Sequence, residues 1–303
     1  MELEFKPVVA GDIDRLRPFY GLRPNKTCDS VFLDSFLWKD YYHVQCAVSE
    51  GRAVLWLMEK DGQVSTAMPL CREEDLPYFF QQMVDYFSGV LHKPFYISLA
   101  DEEAVQCLNL DPALFEVEEQ VDLKDYLYSG EELRKLEGKK FVKKRNHLNG
   151  FKRTYEGRYE YRRLCCSDRH EVWQFMERWR QHKKEVGAME LSLDYEVAGI
   201  HDILKNCSSL YVRMAGVYID GQLEAFTIGS LNVRENMAVI HIEKANPEIR
   251  GLYQFINQQF LINEFPEAEL VNREDDVGME GLRKAKMSYC PIGFARKYMV
   301  RER

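Results

Sequence analysis

Apolar and polar positions alternate over residues 3–8, which predicts a strand. Residues 10–20 follow helical spacing, with Asp12 and Asp14 in the first turn, where the helix dipole favours acids. Residues 30–41 predict an aromatic-rich helix. Strand runs over 44–48 and 53–59 flank the turn Glu50-Gly51-Arg52, and the turn Asp61-Gly62 leads into a third run over 64–70. Residues 73–91 predict a long helix, because Leu76, Phe79, Phe80, Met83, Val84 and Phe87 recur at 3.6-residue spacing. A strand over 95–99, a short helix over 101–108 and a strand over 115–123 complete this stretch.

A second pass of the same kind begins near Tyr159. A strand over 159–165 precedes Asp168-x-x-Glu171, a capping-box spacing that opens a helix running to Val186 with Val172, Phe175, Met176 and Trp179 on one face. A second helix covers 193–206. Strands follow over 210–219, 223–231 and 237–243. Residues 251–265 form a helix with Leu252, Phe255, Ile256 and Phe260 on one side. A short strand over 270–272, a helix over 278–287 and a last strand over 294–300 end the pattern.

Both passes read strand, one or two helices, a three-strand meander, a long helix, strand, helix, strand. That order predicts an α/β fold with mixed sheets, built from two units in tandem, residues 1–130 and 131–303. The length of 303 residues suits two cores. Charge separates the halves: residues 1–130 carry 11 Lys/Arg against 23 Asp/Glu, and residues 131–303 carry 30 against 26. Such asymmetry points to an anionic partner for the second half, or to two differently solvated surfaces.

The N-terminus lacks a basic start followed by an apolar stretch, so no signal peptide is expected, and no run approaches a membrane span. A cytoplasmic location follows as an expectation. The eight cysteines include no C-x-x-C pair and read as reduced thiols in apolar segments. Cys165-Cys166 reads as part of a strand and of the core. No metal site is expected, since the histidines and cysteines do not stand at ligand spacing.

Three strings carry a resemblance: KKFVKKRNHLN over 139–149, HIEKANPEIRG over 241–251 and VNREDDVGMEGLRKAKMSY over 271–289. Together they resemble the family related to the C-terminal domain of phosphatidylglycerol lysyltransferases. The resemblance covers nearly the whole chain. It implies a tandem acyltransferase fold of the N-acetyltransferase (GNAT) type. The acidic first unit holds no site-like string and is expected to be non-catalytic, with the active site in the second. The resemblance further implies transfer of an aminoacyl group from tRNA to an amine or hydroxyl of a small-molecule, peptide or lipid-headgroup acceptor. No flippase segment precedes the resembling part, so the lipid is one acceptor among several.

The candidate residues fall in four groups. Residues 139–153 hold seven basic side chains, and a helix there places Lys140, Lys143 and Lys144 on one face beside His147, with Arg145, Asn146 and Asn149 nearby. Such a face suits either a phosphate backbone or a solvated linker. On the strand over 237–243, His241 and Glu243 are expected on the same face. By resemblance Glu243 takes the position of a carboxylate that helps bind the aminoacyl amine, where it could hold an ammonium or act as a base. Asn246, Arg250 and Gly251 precede a helix whose N-terminus could meet phosphate. The loop has one glycine where acetyltransferases use two, which counts against coenzyme A. Asn272, Arg273 and Asp275 follow a short strand and are expected to shape the pocket. Arg283 and Lys286, on the next helix, are expected on the donor. Tyr289 reads either as a general acid or as a buried core tyrosine. The sequence leaves acyl-coenzyme A as an alternative donor, and a non-catalytic binding or regulatory role as an alternative function.

Overall fold

A computed structural model of the chain describes residues 3–185 and 192–303. The first part contains β1 (Lys6–Pro7), α1 (Ile13–Tyr20), α2 (Phe32–Leu37), β2 (Gln45–Ser49), β3 (Ala53–Lys60), β4 (Gln63–Ser65), α3 (Leu76–Tyr86), β5 (Tyr96–Asp101), α4 (Glu102–Leu108) and β6 (Phe115–Glu119). Then come β7 (Asp125–Ser129), α5 (Gly130–Lys135) and α6 (Val142–Thr154). The second part contains β8 (Tyr159–Arg163), α7 (Arg169–Glu185), α8 (Ser192–Asn206), β9 (Arg213–Ile219), β10 (Gln222–Asn232), β11 (Met237–Ala245), α9 (Leu252–Glu264), β12 (Leu270–Asn272), α10 (Glu280–Met287), β13 (Gly293–Ala295) and β14 (Lys297–Glu302). The expected helix end at Val186 lies outside the described residues.

The predicted recurrence appears as two sheets of matching order. In the second unit the strands run β8-β9-β10-β11-β12-β7-β13. In the first they run β1-β2-β3-β4, and a parallel bridge between Thr66 and Ile97 joins this group to β5-β14-β6. The sixth place in each sheet is filled from the other half of the chain. Strand β7 lies between β12 and β13 of the second unit, and β14 lies between β5 and β6 of the first. A division at residue 130 is therefore a division of the chain and not of the sheets. The expected single strand over 294–300 is two strands, β13 and β14, which part at Arg296 to enter different sheets.

A buried ion pair fixes this crossing. Lys297 Nζ, at the start of β14, lies 2.8 Å from Asp125 Oδ1 at the start of β7, and the two side chains are 1% and 0% exposed. Asp125 Oδ2 also accepts from the Cys28 N–H at 2.6 Å and from Asn272 Nδ2 at 3.0 Å.

The cores are shared in the same way. Phe32, Phe36 and Leu37 of α2 pack with Val197, Ile200 and Ile203 of α8 in one cluster. Gly199 lets these helices touch, since a Cβ there would stand 2.2 Å from the Leu37 carbonyl oxygen. On the other face of the second sheet, α6 and α9 bury Leu148, Phe151, Phe255 and Phe260.

Cysteine placement differs from expectation. Cys165 lies beyond β8 and is exposed, and Cys166 forms a disulfide with Cys207. The turn after β8 and the end of α8 bring the two Cα atoms to 5.9 Å, within bridging distance. No helix among the described residues is long and apolar enough to cross a membrane.

Candidate active site

The second sheet opens between β11 and β12. Their parallel pairing covers Met237–Leu270, Ala238–Val271 and Val239–Asn272, and residues 240–245 of β11 continue without a partner on that side. Glu243 stands in this opening.

Glu243 Oε1 accepts from Arg273 Nη2 at 2.9 Å, and Oε2 accepts from Asn257 Nδ2 of α9 at 2.8 Å. The carboxylate is thus oriented from both sides, with lone pairs left over. The guanidinium of Arg273 is buried and lies 4.7 Å from the ring centre of Tyr289 and 5.8 Å from that of Tyr128. Its Nη1 finds no hydrogen-bond partner among the described residues. A buried donor without an acceptor is costly, about 1–3 kcal/mol, unless something else occupies it.

Lys144, in the first turn of α6, brings its ammonium to 2.5 Å from Ser288 Oγ and 3.7 Å from the ring centre of Tyr289. Burial and the neighbouring Arg273 pull its pKa down to about 8, against the opposing pull of Glu243. The amine is therefore partly neutral near physiological pH. Burial pushes the Tyr289 hydroxyl up to about 12, so it stays a protonated donor.

Lys144, Glu243, Arg273 and Tyr289 thus meet at one place. The remaining predicted residues do not join them. Lys140 pairs with Glu132 at 2.6 Å, and Arg145 donates to the carbonyls of Leu136 and Gly138. Lys143, Asn146 and Asn149 face solvent on the outer side of α6. Arg283 is held by Asp276 and Asp122, at 2.8 and 2.7 Å. Lys286 is buried and donates to the backbone carbonyls of Arg273 and Asp275. Asn272 is buried and bonds the carbonyl of Lys26 at 2.8 Å as well as Asp125. Asp275 faces Lys297 at 3.8 Å. Asn246 shapes the turn after β11 by accepting from the Glu248 N–H and donating to Glu224.

Two expectations are corrected by local geometry. His241 and Glu243 face opposite ways. A β-bulge pairs Ile228 with Ile242 but Gly229 with Ile240, so His241 is the extra residue and the alternation reverses there. His241 is buried between Ser230 Oγ at 2.8 Å and Glu274 Oε1 at 3.0 Å, and burial holds its pKa down at about 3. It is a neutral core histidine. Gly251, with φ +89°, is a packing glycine: a Cβ there would lie 2.3 Å from the His147 carbonyl oxygen. The backbone of α6 therefore crosses the start of α9 where a phosphate was expected, with Arg250 reaching His147 Nδ1 at 3.4 Å.

Sequence reasoning missed Tyr128, which lies on the unrecognised β7, and Asn257. The latter did leave a signal: Asn257 and Gln258 are amides inside an apolar helix and both are buried.

Strand order and the opened central pair define the class: an α/β protein of two units with the GNAT-type fold. A tandem GNAT protein from the clavulanic acid biosynthesis pathway has this fold, at TM-score 0.50 and 10% identity over 99% of this chain and 98% of its own. The chain belongs to the family described as phosphatidylglycerol lysyltransferase, C-terminal, whose pattern matches residues 21–301. A conserved Bacteroides thetaiotaomicron protein of unknown function superposes with a TM-score of 0.90 at 27% identity, over 100% of both chains. The L-PGS structure from Bacillus licheniformis gives 0.67 at 15% identity, over 95% of this chain and 91% of that one. An uncharacterised protein of Mycoplasmoides gallisepticum is 28% identical over 178 residues, 58% of this chain. The match spans about half, 56%, of that relative's length.

Proposed function

We propose that the chain transfers an aminoacyl group from tRNA to an amine or hydroxyl acceptor, with Lys144, Glu243, Arg273 and Tyr289 as its active site. The observation that carries the reading is the buried Arg273 Nη1, a cationic donor with no hydrogen-bond acceptor among the described residues, beside an amine whose pKa is about 8. Ester aminolysis or transesterification needs both a base for the nucleophile and a donor for the oxyanion.

The neutral form of Lys144 takes a proton from the acceptor amine or hydroxyl. The nucleophile attacks the ester carbonyl carbon, and Arg273 Nη1 meets the oxygen that becomes negative. As the tetrahedral species collapses, the ester C–O bond breaks and the proton on Lys144 passes to the departing ribose oxygen. Glu243 holds Arg273 in place, and its free lone pairs suit the ammonium of the aminoacyl group. Tyr289 adds a hydroxyl donor. The exposed face of α6, with Lys143, Asn146, Asn149 and Arg153, suits the tRNA backbone. The setting would be the cytoplasm, where aminoacyl-tRNA is made.

The crossing of α6 over the start of α9 favours tRNA over coenzyme A. Binding of aminoacyl-tRNA, uncharged tRNA and acetyl-coenzyme A at two salt concentrations tests this. Salt-sensitive tRNA binding that weakens in Lys143→Glu supports the reading. Binding of acetyl-coenzyme A alone would redirect it to acetyl transfer, and binding of neither would make it non-catalytic.

A further inference from the structure

The first unit contains a cavity that the transfer chemistry does not use. It opens between the end of β4 and β5 and has a volume of about 90 Å³. At roughly 10–15 Å³ per water-sized group, that is room for about six to nine non-hydrogen atoms. Trp38, Tyr42, Trp56 and Met58 line it, together with Asp29 and Asp34.

The acids there are poorly compensated. Arg23 and Asp101 also line the cavity, but they grip each other with two bonds of 2.6 Å, so this pair is neutral as a unit. Asp34 is buried, and among the described residues no lysine, arginine or histidine lies within ion-pair distance of it. Its carboxyl contacts that of Asp29, and Glu274 and Cys28 bring ligand atoms within 4.8 Å of it. Lys297 is the neighbouring cation, already shared by Asp125 at 2.8 Å and by Asp29 and Asp275 at 3.8 Å. Burial, Asp29 and Glu274 raise the Asp34 pKa well above the usual carboxylate range, and burial raises that of Glu274 too. His241 is neutral and Tyr42 is protonated, its pKa raised by burial, so neither neutralises the acids.

We propose that this cavity binds a small primary ammonium, with Asp34 as counter-ion and Trp38, Tyr42 and Trp56 as walls. Aromatic faces and a carboxylate together select an organic cation, since the rings attract charge while burying the attached carbon chain. A metal ion would use the carboxylates but gain nothing from the rings. It would also meet the Lys297 ammonium, which lies 3.2 Å from Cys28 Sγ. The site is independent of acyl transfer: the bulge at His241 sends the acid cluster and Glu243 to opposite faces of β11.

Calorimetric titration with pentylamine, and with 1-pentanol as its uncharged counterpart, tests the inference. Measurements use wild type, Asp34→Asn and Trp38→Leu at pH 7.5, with melting curves for each. Pentylamine should bind at least 10-fold more weakly to Asp34→Asn and Trp38→Leu than to wild type, and pentanol should not compete. Asp34→Asn should melt no lower than wild type, which separates lost binding from lost fold. Equal binding of pentanol or undiminished binding to Asp34→Asn would overturn the proposal. So would a zinc response lost in Cys28→Ser without any amine response.

Discussion

In the second unit, the opening between β11 and β12 holds two cations, Lys144 and Arg273, around one carboxylate. In the first unit the corresponding opening, between β4 and β5, is lined by aromatic rings and by Asp29 and Asp34. The strand order is the same in both. The lengths differ, since β11 runs nine residues and β4 three, so the first opening is closed in by loops rather than by a long splayed strand. If both proposals hold, the same backbone feature presents either a donor array for developing negative charge or a container for positive charge. The fold supplies the place, and the side chains that reach it decide the sign.

Four experiments would break or sharpen this comparison. Lys297→Met should have the largest effect. It leaves Asp125 buried without its cation, at a cost of about 3–5 kcal/mol, and should lower the melting temperature of both units together in calorimetry. Separate transitions would mean that the units are not interlocked.

Arg273→Lys should come next. Loss of the orphan donor should reduce single-turnover aminoacyl transfer by about 10²–10³-fold with tRNA affinity within about twofold. Equal losses in binding and rate would move Arg273 from the reacting atoms to the donor's anchor.

Lys144 sets the third. With its pKa near 8, transfer should rise with pH through about pH 8 as the ammonium loses its proton, and Lys144→Met should remove that limb of the pH–rate profile.

Asp34→Asn should give the smallest change and the opposite sign in stability. A carboxyl whose native pKa is raised binds more protons folded than unfolded, so wild-type stability falls as pH climbs above the unfolded carboxylate range. Removing the charge should raise the melting temperature by about 2–4 °C at pH 7.5 and by nothing near pH 3. A lower melting temperature at pH 7.5 would show that Asp34 is a structural group.

Much of this was legible in the sequence where the signal is local. The α9 stripe, β3, β10 and β12 lie within a residue or two of their predicted bounds because periodicity reports burial directly. Lys144 stood among the candidates through the basic run over 139–153, Arg273 and Tyr289 as polar groups after a strand and at a helix end, and Glu243 through the family resemblance. What was not legible is long-range. Nothing in residues 125–129 says that they pair with strands more than 140 residues away, and nothing at Arg296 marks a change of sheet. The bulge at His241 depends on its partner strand, so simple alternation gave the wrong face. Arg145 and Arg283 looked free because their acceptors, two helix-end carbonyls and a pair of aspartates, are set by tertiary contact.

The exchange of β7 and β14 also bears on how the protein is made. During synthesis, β5 and β6 leave the ribosome with the gap between them unfilled, and β14 follows roughly 180 residues later. At ordinary elongation rates that is a wait on the order of ten to thirty-five seconds with two strand edges unpaired. The first sheet can close only once β14 has been translated. A ribosome that stops before β14 therefore releases a product with open edges, the kind that chaperones and proteases recognise.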